Sequence, residues 1–153
     1  MLKLELEEKL PSFDELIGDL SEQEVRDFLE VSEEVSVPAG TEIFKQGTEG
    51  DALYIIEKGV ISIYKSAYGK YVEIARLQKG NIVGEMSFFV QRPHSATAKA
   101  LTDCVLIKIT EESFRKLYVK NVDLAFKILV AINKVLIYRL DKRNKEIVRL
   151  KNV

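Results

Sequence analysis

Apolar positions change their spacing twice along the chain. Between Ser21 and Ser32, Val25, Phe28 and Leu29 recur at helical intervals while Glu22, Arg26, Asp27 and Glu30 fill the gaps, which predicts an amphipathic helix with those four charges in solvent. Ser21-Glu22-Gln23-Glu24 has the form of a capping box that starts it, and Pro11 and Gly18 mark a shorter helical piece before it. From Glu34 to Ile109 the pattern becomes short β-branched and aromatic runs, cut by seven of the eight glycines. The clearest strands are Ile43-Phe44, residues 53–56, 60–64, 71–75 and 105–107. Runs this closely spaced pair as antiparallel hairpins, because parallel strands need long crossovers. Tyr68-Gly69-Lys70 supplies one tight turn, where glycine takes a positive φ at little cost.

Helical spacing returns after Thr110. Thr110-Glu111-Glu112 opens a helix carrying Phe114, Leu117 and Tyr118, and Asn121 is suited to cap the next. That last helix is apolar almost all round between Phe126 and Leu140, and beyond it Ile147 and Leu150 continue a sparse stripe among lysines and arginines. A helix with two apolar faces requires two partners: the β region, and a second copy of itself. The expectation is therefore a homodimer through this helix, with Asn133 either setting its register or simply exposed. The segments divide one domain, 1–153, into N-terminal helices (1–33), a β-roll (34–109) and C-terminal helices (110–153), an α+β architecture.

Composition adds mainly exclusions. With 153 residues, 46% hydrophobic and 31% charged, the chain is an ordinary globular one able to bury roughly two-thirds of its unfolded surface. Cys104 is the only cysteine, so no internal disulfide forms, and Asp-Cys-Val-Leu-Ile reads as a buried strand. No apolar run approaches a membrane span or a secretory signal, which predicts a soluble, cytoplasmic protein with no membrane contact. A net charge of −1 lacks the basic footprint of a free-standing nucleic-acid binder. Charge is nevertheless uneven: residues 1–34 hold twelve acids and three bases, and 139–151 hold six bases and two acids, which reads either as solvated helix faces or as a contact between the ends. One histidine, His94, is too few for the usual metal sites on such rolls or for a persuasive catalytic triad, so no enzyme chemistry, metal or cofactor is expected.

Two long motifs carry a resemblance. Gly40-Thr41-Glu42-Ile43-Phe44-Lys45-Gln46-Gly47 is followed by Gly50-Asp51-Ala52-Leu53-Tyr54-Ile55-Ile56-Glu57-Lys58-Gly59-Val60, and Gly84-Glu85-Met86-Ser87-Phe88-Phe89 by Pro93-His94-Ser95-Ala96-Thr97-Ala98-Lys99-Ala100. With the long terminal helix, they resemble the cyclic nucleotide-binding domain family, which includes the catabolite activator protein and the regulatory subunits of cAMP-dependent kinase. The resemblance covers about residues 20–140. It implies an antiparallel double-stranded β-helix, a jelly-roll-like roll, with a phosphate-binding cassette at 84–100. It further implies that Glu85 accepts from a ribose hydroxyl, that the amides of the Gly84-Glu85-Met86-Ser87 turn and Ser95 hold the cyclic phosphate, that Ala96 also contacts the ligand, and that Thr97 adds a contact nearer the base. Such a turn suits an anion on its own physics, since amides at a helix start point outward unbonded. Taken without the resemblance, Gly84 and Glu85 form a tight turn and nothing more.

His94 departs from the pattern. Family members that bind cyclic nucleotides usually carry arginine there, a permanent charge that grips two phosphate oxygens. An imidazole is mostly neutral at pH 7 and gives one bond. Losing a charge-assisted bond of roughly 1.5–3 kcal/mol weakens binding about ten- to a hundredfold. Arg92 offers an alternative cation, and His94 itself is otherwise a surface histidine beside Pro93. Two functions stay open: a non-enzymatic regulatory module that binds cAMP or cGMP weakly and signals through the terminal helix to an effector protein, or a ligand-free dimerising interaction module. Because the chain ends at Val153, no helix-turn-helix domain and no direct DNA binding are expected.

Overall fold

A computed structural model describes residues 13–152; the amino-terminal stretch with Pro11 lies outside the described residues. Two short helices, α1 (Phe13–Ile17) and α2 (Glu22–Val31), lead into β1 (Glu33–Val37), β2 (Glu42–Phe44), β3 (Ala52–Lys58), β4 (Ile61–Ala67), β5 (Lys70–Leu77) and β6 (Ile82–Val83). The helix α3 (Glu85–Val90) interrupts the strands before β7 (Thr97–Ala100) and β8 (Cys104–Thr110), and α4 (Glu111–Lys120) and α5 (Val122–Lys151) complete the chain. The strands form two four-stranded sheets, ordered β1-β8-β3-β6 and β2-β7-β4-β5, in which every recorded pairing is antiparallel. This is the jelly-roll-like roll expected from the sequence, with β1, β6 and β7 added to the strands legible there.

Side-chain alternation on β3 explains how the roll can be buried on both sides. Leu53 and Ile55 face the helices, packing with Ile82, Ile109, Leu117 and the stripe Leu124, Ile128, Ile132, Val135 of α5. Tyr54 and Ile56 face the opposite way, into the roll, with Ile61, Leu77, Val83, Ala98 and Leu106. An uninterrupted apolar run is what a strand covered on both faces requires. Cys104 lies buried in β8 as expected, and burial pushes its thiol upward. At the tip of the β4–β5 hairpin Ala67 pairs with Lys70, leaving Tyr68 and Gly69 as a two-residue turn with φ of 53° and 74°.

The helix starts are as the caps predict. Ser21 and Glu24 form the capping box of α2, Thr110 caps α4, and Asn121 accepts from the Leu124 amide at the start of α5. The face of α2 is different from the expected one. Asp27, assigned to solvent by its spacing, is 3% exposed, whereas Val25 and Leu29 are 42% and 64% exposed. Asp27 is drawn inward by polar partners: Asn121 donates to Oδ2 at 3.0 Å and Gln23 to Oδ1 at 2.9 Å, and these bonds hold its carboxyl below the usual range. Glu24 and Glu30 extend the same seam by pairing with Lys127 and Lys120. The acids of α2 thus meet bases at the junction of α4 and α5, while Arg139 turns to the roll instead.

Candidate functional site

The cassette begins where β6 hands the chain to α3. Gly84 has φ +87°, and a Cβ there would stand 2.7 Å from the Ala52 carbonyl oxygen, so glycine serves both the turn and the close pass over β3. Gly84→Ala should cost about 2 kcal/mol or more, from left-handed strain and the clash together. A lowered urea midpoint measures it, and an unchanged midpoint would show that the turn relaxes freely.

Beyond that turn lies a cavity of about 290 Å³. Of the residues expected to contact a ligand, Gly84, Glu85, Met86, His94, Ser95 and Ala96 line it. Ser87 and Thr97 do not: Ser87 is buried and its Oγ donates to the Gly50 carbonyl at 2.5 Å, and Thr97 is buried with Oγ1 accepting from the Gln46 amide at 3.0 Å. Both hydroxyls fasten the cassette to the first glycine motif. Apolar walls come from Ile63, Ala75, Leu77 and Val83 on the roll and from Leu136 and Leu140 on α5.

His94 is not a surface residue. It is 6% exposed, and its ring stacks on Phe44 with centroids 3.9 Å apart and planes at 13°. Its backbone is pinned on both sides, the amide donating to the Thr48 carbonyl and the carbonyl accepting from Gly47, each at 2.9 Å. A Cβ on Gly50 would stand 2.6 Å from Nε2, so that glycine makes room for the imidazole. The two sequence motifs therefore meet at one side chain. Burial pushes the His94 pKa below its ordinary value, and the nearby Glu85 carboxylate opposes that shift without reversing it. The ring is consequently neutral at pH 7, more firmly so than an exposed histidine.

Arg92 is exposed and lies outside the lining. The cations that do line the cavity come from α5 and were not found from sequence. Arg139 Nη1 donates to Glu85 Oε1 at 3.0 Å, while Nη2 donates to the Ile82 carbonyl at 2.6 Å and to Asn81 Oδ1. Arg143, one turn later, also lines the cavity. A signal existed: Arg139 is four residues after Val135, and so continues the core-facing stripe Ile128, Ile132, Val135. Among the described residues no cluster of histidine, cysteine and carboxylates is placed to hold a metal, and no helix is long and apolar enough to cross a membrane.

Comparison with known proteins shows the family and the fold. The sequence profile of the cyclic nucleotide-binding domain matches residues 34–121. A cAMP-dependent protein kinase regulatory subunit from Yarrowia lipolytica is 32% identical over 102 residues, which are 67% of this chain and 26% of that protein. The chain thus spans about a quarter of that relative's length. A cyclic nucleotide-binding domain from Methylobacillus flagellatus superposes with a TM-score of 0.80 at 25% identity, covering 86% of this chain and 75% of the other. The catabolite activator protein of Thermus thermophilus gives 0.70 at 29% identity over 89% of this chain and 62% of its own.

Proposed function

The chain belongs to the cyclic nucleotide-binding domain family, and from that premise we propose that it is a non-enzymatic regulatory module of the cytoplasm that binds cAMP or cGMP in the roll and signals through α5 to an effector protein. The observation that carries this reading is the convergence of Gly84, Glu85 and Met86 with His94, Ser95 and Ala96 around one cavity. At about 290 Å³ that space is at the small end of ligand pockets, roughly 300–1,000 Å³, and suits a mononucleotide. The turn amides and Ser95 receive the phosphate, and Glu85 receives a ribose hydroxyl. Affinity at neutral pH is weak, because His94 stands where the family's nucleotide-binding members usually carry arginine.

Titration calorimetry with cAMP and cGMP tests the reading directly. Glu85→Gln should weaken whichever nucleotide binds by about tenfold, since a hydrogen bond to a charged group is lost. Its melting temperature without ligand should hardly move, because the amide oxygen of glutamine can still accept from Arg139 Nη1, whose other arm stays on Asn81 and the Ile82 carbonyl. Absence of heat with both nucleotides at millimolar concentration would instead favour the ligand-free interaction module.

We further propose a homodimer through α5. No described residue of α5 after Val135 is buried, yet Phe126, Ile137, Leu140 and Ile147 are 67%, 62%, 60% and 51% exposed. With Val130, Asn133 and Asn144 they fall at alternating intervals of four and three, a coiled-coil seam carrying polar residues that fix register.

A further inference from the structure

Resting on that reading, we propose that Arg143 selects the base, so that the site prefers a 6-oxopurine, cGMP, over cAMP. With the phosphate at the cassette and the ribose on Glu85, the base has only the remaining part of the cavity, between Ile63 and Leu77 of the roll and Leu136, Leu140 and Arg143 of α5. The polar side chains on that helix wall are Arg139 and Arg143, both donors without an acceptor. Arg139 is already committed to Glu85, Asn81 and the Ile82 carbonyl. Arg143 lines the same wall and has no ion pair or hydrogen bond to any of the described residues, so its guanidinium is the group available to a ligand.

Guanine presents two acceptors on one edge, N7 and O6, which match the guanidinium fork. Adenine presents N7 beside an N6 amino group, so one arm of the fork would face a donor. A wall that supplies donors alone therefore discriminates against adenine. Because Arg143 is partly in water, the preference is expected at about five- to twentyfold, the lower part of the range for such a bidentate pair.

Calorimetry with cGMP, cAMP and cIMP on the wild type and on Arg143→Gln decides it. Inosine keeps O6 and N7 and lacks the 2-amino group. The expected result is cGMP and cIMP alike and both tighter than cAMP, with the preference lost or reversed in Arg143→Gln, since a glutamine amide pairs with adenine N6 and N7. Equal or tighter binding of cAMP to the wild type, cIMP behaving like cAMP, or a guanine preference that survives Arg143→Gln would each overturn the inference while leaving cyclic nucleotide binding intact. If none of the three binds, the proposed function falls and this inference with it.

Discussion

His94→Arg is expected to tighten cyclic nucleotide binding about ten- to a hundredfold at neutral pH and to remove its pH dependence, the gain of one charge-assisted pair. The backbone at 94 is tied to Gly47 and Thr48, so the longer side chain starts from the same place, over Phe44, whose ring can receive a guanidinium face. In the wild type the sign follows from linkage. An anion beside His94 raises its pKa in the complex, so affinity grows as pH falls through the bound-state value and levels off below the free-state one. Burial has already lowered the free-state value, so the gain continues below the ordinary pKa of about 6.5. Folding responds in the opposite direction: with its pKa depressed in the native state, the ring's contribution to stability is complete above about pH 6.5 and is eroded as pH falls toward the native value. Calorimetry and melting curves at about pH 7.5 and 5.5 follow both effects, since these values bracket the titration of histidine. Wild-type affinity equal at the two pH values, or His94→Arg no tighter than wild type, would remove His94 from the phosphate end.

Ile137→Asp combined with Ile147→Asp is expected to convert a two-chain species into a single chain while the roll stays folded. Both isoleucines are more than half exposed, and neither lines the cavity, whereas Leu140 does and is left in place. Burying an aliphatic side chain is worth about 1.5–3 kcal/mol, and four are lost per dimer, so association should weaken by about a thousandfold or more. Sedimentation velocity reads the mass and far-ultraviolet circular dichroism the fold. A variant that still sediments as a dimer would place the interface elsewhere.

The elements that could be read from the chain were those fixed by neighbours in sequence. Capping residues at Ser21, Thr110 and Asn121 act within three or four positions, and the glycine turns of the roll are equally local. β6 has two residues and β7 is Thr-Ala-Lys-Ala, too short and too small in side chain to announce a strand, and both exist because β3 and β4 offer edges to pair with. Phe28 of α2 packs on the core as its spacing predicts, but Asp27 replaces Val25 and Leu29 beside it because its partner Asn121 is 94 residues away. Within the site, six of the eight expected residues reach the cavity because the cassette motif encodes its own turn. Ser87 and Thr97 lie outside the lining because the carbonyl of Gly50 and the amide of Gln46, both distant in sequence, take their hydroxyls. Arg139 was missed for the same reason, being 54 positions from Glu85, although helical periodicity pointed it inward.

The anchorage of Arg139 has a mechanical consequence. Helix α5 runs 30 residues, and its guanidinium clamp to Asn81, Ile82 and Glu85 comes after the last fully buried contact, at Val135. From there to Lys151 the rod projects twelve residues, about 18 Å at 1.5 Å per residue, so a swing of about 10° at the clamp carries its tip about 3 Å. Of these bonds, those to Asn81 and Ile82 belong to the roll's own framework, and the one to Glu85 reaches a carboxylate of the cassette. Were Glu85 to let go, the bonds to Asn81 and Ile82 would still hold the pivot.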